Sequence, residues 1–148
     1  MAELGGHLLG RRLYETMTYW ETAEENPAID EVAREFAQLW KPLPKVVFSR
    51  TLEQVEGTNT RLATDGLAEE VARLKEQPGD DLGIGGAGLA ASCIELGLVD
   101  EFQVFVNPVV LGGGTPFFPA LAERVKLELV ETRTFGSRVV YVHYRRGE

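Results

Sequence analysis

Apolar residues recur along the chain with two spacings, and each change of spacing marks an element boundary. His7 to Leu9 follows Gly5-Gly6 and predicts a short strand that stops at Gly10-Arg11-Arg12. Leu13 to Trp20 is aromatic-rich and predicts the start of a helix, whereas Glu21 to Pro27 is acidic and reads as a surface loop. Ile29, Val32, Phe36, Leu39 and Trp40 repeat at helical spacing, which predicts an amphipathic helix over 30–40, ended by Pro42 and Pro44. Lys45 to Phe48 is a second strand, and the polar stretch 53–64 carries at most one short strand at its end. Asp65 is the expected N-cap of a helix running to about Gln77, with Leu67, Val71 and Leu74 as its buried stripe.

Residues 81–118, DLGIGGAGLAASCIELGLVDEFQVFVNPVVLGGGTPFF, hold the densest pattern. A strand (82–84) enters a glycine cluster, a helix follows with Leu89, Ala90, Cys93, Ile94 and Leu96 as its apolar face, and Gly97 is its expected C-cap. Phe102 to Leu111 is almost continuously apolar, which predicts a central strand buried on both faces, bulged or bent at Pro108. The stretches 125–135 and 138–145 then predict a C-terminal hairpin turning at Gly136-Ser137.

Strand, glycine turn, helix and strand make a βαβ unit. Gly85, Gly86 and Gly88 permit positive φ and close approach of a ligand to the backbone. The helix beginning near Gly88 directs free N–H groups and its positive dipole end to the same place. Gly83, Gly85 and Gly88 satisfy G-x-G-x-x-G, a pattern that plain tight turns also satisfy. A Rossmann site also wants an acidic residue about 20 residues on, closing the next strand. Asp100 and Glu101 open that strand instead, so the Rossmann reading fits poorly. Two other strand ends carry phosphate-binding chemistry: Gly10-Arg11-Arg12, and Ser49-Arg50-Thr51, where a guanidinium lies between two hydroxyls. Each can also be read as a solvated turn.

Composition narrows the classes. A chain of 148 residues with 44% apolar content suits one globular domain over 1–148. The net charge of −8 opposes a nucleic-acid surface but not a local basic pocket. Cys93 is the only cysteine and reads as core packing. With only His7 and His143 beside it, no zinc site is expected. No stretch reaches the roughly 18 apolar residues that span a bilayer, and the N-terminus does not resemble a secretory signal, so a cytoplasmic protein is expected.

Three blocks resemble the dihydrofolate reductase-like family, which includes the reductase domain of the riboflavin-biosynthesis deaminase/reductase. They are LLGRRLYE (Leu8 to Glu15), VVFSRTL (Val46 to Leu52) and the run from Gly85 to Phe118, with its GLVDE and PVVLGGGTPFF segments. The resemblance implies an α/β fold: a three-layer α/β/α arrangement on a mixed sheet, with a C-terminal antiparallel hairpin. It implies an NADPH-dependent oxidoreductase that transfers hydride to a small heterocyclic or sugar-derived substrate of pterin or ribosylaminopyrimidine type. The alternative is a nucleotide-cofactor-binding or dimeric structural protein without turnover. Carried over by position, Gly10, Arg11 and Arg12 line the dinucleotide site. Ser49, Arg50 and Thr51 lie against its adenosine side, with Arg50 the candidate for the 2′-phosphate. Gly85, Gly86, Ala87, Gly88 and Leu89 receive the pyrophosphate.

Family members begin with a strand and helix that lie before the segment starting here at Leu8. The acidic residue that dihydrofolate reductases use for proton transfer lies in that region, so no catalytic residue is assigned. A gap in the sheet would leave unpaired backbone groups at about 1–3 kcal/mol each. Direct pairing of the strands near 81–85 and 102–111, or completion by a second chain, is therefore expected. Trp20, Trp40 and the other N-terminal aromatics favour a homodimer.

Overall fold

The computed structural model describes residues 4–148. They divide into two compact units, one running to Ser92 and the other from Cys93 to Glu148.

The first unit is built on β1 (Leu4–Gly10), which lies between β2 (Lys45–Phe48) and β4 (Asp81–Gly85), with β3 (Thr60–Leu62) beyond β2. All three ladders are parallel, with Leu8 opposite Val46 and Leu9 opposite Val47. Both faces of β1 and β2 are covered: Leu8, Leu9, Val46 and Val47 are all buried. These are the doubly buried central strands, and their short apolar runs reflect it.

Helix α1 (Arg11–Met17) continues from β1 and leads into two short 3₁₀ turns, Thr18–Glu21 and Ala23–Glu25. The expected surface loop is thus partly ordered, and Ala23 is buried. In α2 (Glu31–Trp40), Asp30 is the N-cap, its carboxylate accepting from the Ala33 N–H at 2.7 Å. The stripe predicted for this helix is rotated. Ala37 and Trp40 are buried, whereas Val32 is 77% exposed and Leu39 is also on the outside. The side that carries Trp40, the largest apolar side chain of the helix, with Ala37 enclosed beside it, is the side turned inward. Trp40, Leu9, Leu43 and Val47 form the core cluster, with Phe36 and Trp20 packed against it. Trp40→Ala is expected to cost about 3–5 kcal/mol in urea unfolding, and Val32→Ala less than about 0.5 kcal/mol.

Lys45 starts β2 with its side chain buried. Its ammonium donates to the carbonyls of Trp40 (2.8 Å), Leu43 (2.8 Å) and Lys41 (3.0 Å) and sits 5.2 Å from the Trp40 ring centre. It satisfies carbonyls that the end of α2 would leave unpaired. Burial pushes this ammonium below the usual lysine range, and the carboxylate of Glu21 partly offsets that.

Helix α3 (Leu67–Glu76) has Gly66 as its N-cap, not Asp65. The Asp65 carboxylate accepts from Arg73 instead, and that ion pair takes it away from the cap. Val71 is buried as expected, but the other buried residue of this helix is Glu70, 1% exposed. Helix α4 (Ala87–Glu95) spans the division between the units. It ends in a Schellman motif: Gly97 (φ +69°) donates to Ile94 at 3.0 Å and Leu98 donates to Cys93 at 2.9 Å. Cys93 is fully buried.

The second unit is an antiparallel sheet in the order β5 (Glu101–Val106), β7 (Val140–Arg146), β6 (Leu127–Thr134). The hairpin register shifts between Leu129 and Glu131, and Arg138 (φ +66°) takes the left-handed position in its turn. Parallel and antiparallel strands therefore occur in two ladders rather than in one mixed sheet. The strand predicted over 102–111 is shorter and lies at an edge. It stops at Val106, before Asn107-Pro108, because proline cannot donate to a ladder. Val110 beyond it is 94% exposed. β4 is bonded to β1 and β5 to β7, so the expected direct pairing of those two strands is not formed.

Candidate functional site

Parallel strands send their C-terminal ends to one edge of a sheet, which is where open α/β sheets place ligands. In the first unit that edge collects Gly10-Arg11-Arg12 after β1, Ser49-Arg50-Thr51 after β2 and Gly86 to Leu89 after β4. Two observations tie the three segments together. Arg11 Nη1 donates to Thr51 Oγ1 at 2.6 Å. A Cβ on Gly10 would stand 3.8 Å from Cβ of Leu89, and one on Gly86 would stand 4.0 Å from the Gly10 nitrogen.

Each segment is held locally. Ser49 Oγ accepts from the N–H groups of Thr51 and Leu52, both at 3.1 Å, which fixes the turn after β2. Arg11 also donates to Glu15 at 2.9 Å, one helical turn on. Tyr14 accepts from the Glu56 N–H at 2.8 Å and so pins the following loop. Arg12 and Arg50 are exposed and have no side-chain partner among the described residues. The first N–H groups of α4, at Ala87, Gly88 and Leu89, have no carbonyl one turn back to bond.

The glycines divide differently from the sequence expectation. Only Gly86 has positive φ (+95°). Gly85 is needed for packing, because a Cβ there would stand 2.2 Å from Leu13 Cδ2 and 2.9 Å from His7 Cε1. Gly83 likewise makes room for the His7 ring, at 2.7 Å. Two of the three fingerprint glycines therefore accommodate the core, and only Gly88 faces open space. Gly86→Ala is expected to cost about 1–2 kcal/mol, the penalty for an alanine held left-handed, and to weaken coenzyme binding by shifting the start of α4. Paired thermal-melt and titration measurements would check both effects.

His7 takes no part at this edge. Its ring packs edge-on against Trp40 (5.3 Å between centres), and burial pushes its pKa down. His143, in β7 of the other unit, lies 3.6 Å from the Glu101 carboxylate. Among the described residues no cluster of His, Cys, Asp and Glu could hold a metal ion. No helix among them is long and apolar enough to cross a membrane.

A charged network after β3 is absent from the sequence reading. Glu70 is buried and accepts from Arg61 Nη2 at 2.7 Å, Arg61 Nη1 at 3.3 Å, the Thr64 N–H at 3.3 Å and the Asp65 N–H at 3.5 Å. Arg73 lies 3.2 Å from the same carboxylate. Hydrogen bonding from Arg61, above all, holds the Glu70 carboxyl down at about 2 against the opposing effect of burial. The only trace in the sequence is a Glu and an Arg three residues apart on one helix.

Residues 1–141 match the family model of the RibD C-terminal domain. The uncharacterised protein YyaP of Bacillus subtilis (strain 168) is 38% identical over 141 residues, which cover 93% of this chain and 71% of that protein. A crystal structure of a candidate riboflavin biosynthesis protein from Shewanella sp. PV-4 superposes with a TM-score of 0.75 at 19% identity, covering 98% of this chain and 75% of that one. Dihydrofolate reductase from Enterococcus faecalis, complexed with NADP(H), superposes with a TM-score of 0.60 at 19% identity, covering 99% and 77%. At these identities the two structures speak for the fold, which is dihydrofolate reductase-like.

Proposed function

The chain belongs to the RibD C-terminal domain family, and from that premise we propose an NADPH-dependent reductase whose substrate is a small heterocycle or sugar-derived compound of ribosylaminopyrimidine or pterin type. The observation that carries the coenzyme assignment is the meeting of three strand ends at one edge, with Arg11 bonded to Thr51 and Gly10 beside Leu89. The residues there fit a dinucleotide. Gly88 opens onto free space, Gly86 takes the left-handed turn into α4, and the guanidinium groups of Arg12 and Arg50 have no partner among the described residues.

Bound NADPH supplies the hydride; the protein's part is to hold, orient and shield. The amides of Ala87 to Leu89 would take the pyrophosphate, helped by the positive end of the α4 dipole. Arg12 would add charge at the same edge, while Arg11, already anchored by Glu15 and Thr51, has donors left over to point at a phosphate. Arg50 would meet the 2′-phosphate, with the hydroxyls of Ser49 and Thr51 beside it. Reaction rate follows from holding two reactive carbons at contact distance, which a rigid strand edge does better than a loop.

The test is a pair of measurements on the intact chain. NADPH binding is followed by titration, and coenzyme oxidation is followed with a ribosylaminopyrimidine and a dihydropterin in turn. Saturable binding with oxidation by either substrate is the expected result. Binding without oxidation by either would favour a cofactor-binding protein, and no binding would remove the reductase assignment.

A further inference from the structure

We propose that the uncharged face of the C-terminal sheet is a docking surface for a second copy of this chain, and that the protein is a homodimer through it. The inference stands apart from the coenzyme reading.

The ladders of β5, β7 and β6 sort the side chains of this sheet into two faces, because residues paired across an antiparallel ladder point the same way. One face is charged. Glu101, Arg145 and Glu128 form one of its cross-strand rows, and Glu131 and Arg133, bonded at 2.6 Å, stand in the rows beyond. The opposite face has no charged residue. Its first row is Phe102, Tyr144 and Leu129, and the two rows beyond hold four valines and two threonines. A sheet so divided turns its charged face to water and its apolar face to a packing partner.

That partner is not supplied by the described residues. Of the whole face Phe102 alone is buried, beneath the ring of Phe118 at 5.6 Å. Leu129 is 61% exposed and Val106 50%. Phe117 packs on Phe118 at 4.8 Å, and both rings are exposed in turn, which extends the apolar surface past the end of the first row.

Area and chemistry favour a second copy as the cover. Three strands 4.8 Å apart and six residues long make a face of about 300 Å², and the two phenylalanines bring it to about 500 Å². Two such faces remove roughly 1,000 Å² from water, the size at which specific association begins. A two-fold axis sets the same face on both sides, so neither copy buries an unpaired charge, and two sheets packed about 10 Å apart make a sandwich. A strongly charged partner would find nothing here to pair with. The N-terminal aromatics expected to favour a dimer are taken up by the core of the first unit: Trp40 is buried, and Trp20 packs against it 4.6 Å from Phe36.

The experiment is sedimentation equilibrium on the intact chain, with unfolding midpoints measured at several protein concentrations. Leu129→Glu and Val106→Lys place a charge on the uncharged face, and Gln103→Lys places one on the charged face. The wild-type chain is expected to be a dimer whose unfolding midpoint rises with concentration. Leu129→Glu and Val106→Lys are each expected to raise the dimer dissociation constant at least a hundredfold, since each adds two unpaired charges per dimer, while Gln103→Lys stays within about threefold. Leu129 and Val106 are at least half exposed in the single chain, so neither variant opens a core, and the two check each other. A monomeric wild-type chain, a dimer that survives both variants, or equal loss in Gln103→Lys would each overturn the proposal.

Discussion

Arg50→Ala is expected to raise the NADPH dissociation constant about tenfold to a hundredfold while leaving that for NADH within about twofold. The magnitude follows from losing one or two charge-assisted hydrogen bonds, about 1.5–3 kcal/mol, at about 1.4 kcal/mol per factor of ten. The selectivity follows from chemistry, since only NADPH carries the 2′-phosphate that Arg50 is proposed to meet. Arg50 makes no side-chain hydrogen bond or ion pair among the described residues, so its loss leaves the fold alone. Arg11→Ala is the instructive contrast. That guanidinium ties α1 to the end of β2 through Thr51, so its removal weakens both coenzymes and lowers stability as well. Titrations with both coenzymes, with unfolding midpoints measured on the same samples, separate the two cases. Equal losses for NADPH and NADH in Arg50→Ala would contradict its assignment to the 2′-phosphate.

Glu70→Ala is expected to cost about 3–5 kcal/mol of stability, as much as emptying the Trp40 site. Two backbone N–H groups and two guanidinium groups lose their common acceptor, and one end of the β3–α3 connection comes loose. The same network predicts a pH dependence. The Glu70 carboxyl titrates at about 2 in the folded chain, against an ordinary value of 4.5. A depressed carboxyl contributes stability above its unfolded pKa and loses it as pH falls through the folded value. At neutral pH that contribution is about 2–3 kcal/mol, allowing for the half-exposed arginine partner, and it declines between about pH 5 and pH 2. Urea unfolding across that range measures the slope. Glu70→Gln should flatten it, and an equally steep slope in that variant would assign the acid sensitivity to other carboxylates.

The elements legible in the sequence are those whose signal is local. The helix over 30–40, the C-cap Gly97, and the strand, turn and helix around Gly85-Gly86 all depend on a few neighbouring residues, and the structure has them; the strand that follows joins an antiparallel ladder instead of completing a βαβ unit. What was not legible depends on the partner an element meets. The run 102–111 is apolar throughout, but Pro108 cuts the ladder short and its last residues are exposed. Asp65 has the chemistry of a cap yet is drawn to Arg73, eight residues on. Lys45 and Glu70 are of residue types that favour the surface; only the folded backbone turns three carbonyls onto Lys45 and brings Arg61 to Glu70 beside Arg73.

For the candidate site the strand ends were legible and their reasons only in part. Gly10, Arg11, Ser49, Thr51, Gly86 and Leu89 are found at one edge. Gly85 and Gly83 are glycines for the sake of Leu13 and His7, which no motif records. A fingerprint of this kind therefore mixes ligand chemistry with packing, and only the neighbours of each missing Cβ tell the two apart.

The proposed dinucleotide site is at the ends of β1, β2 and β4. Backbone amide resonances of the isotope-labelled chain, followed through an NADPH titration, test it directly. The account expects the largest shifts at residues 10–12, 49–51 and 86–89, saturating together. Saturable shifts confined to other parts of the chain would contradict it.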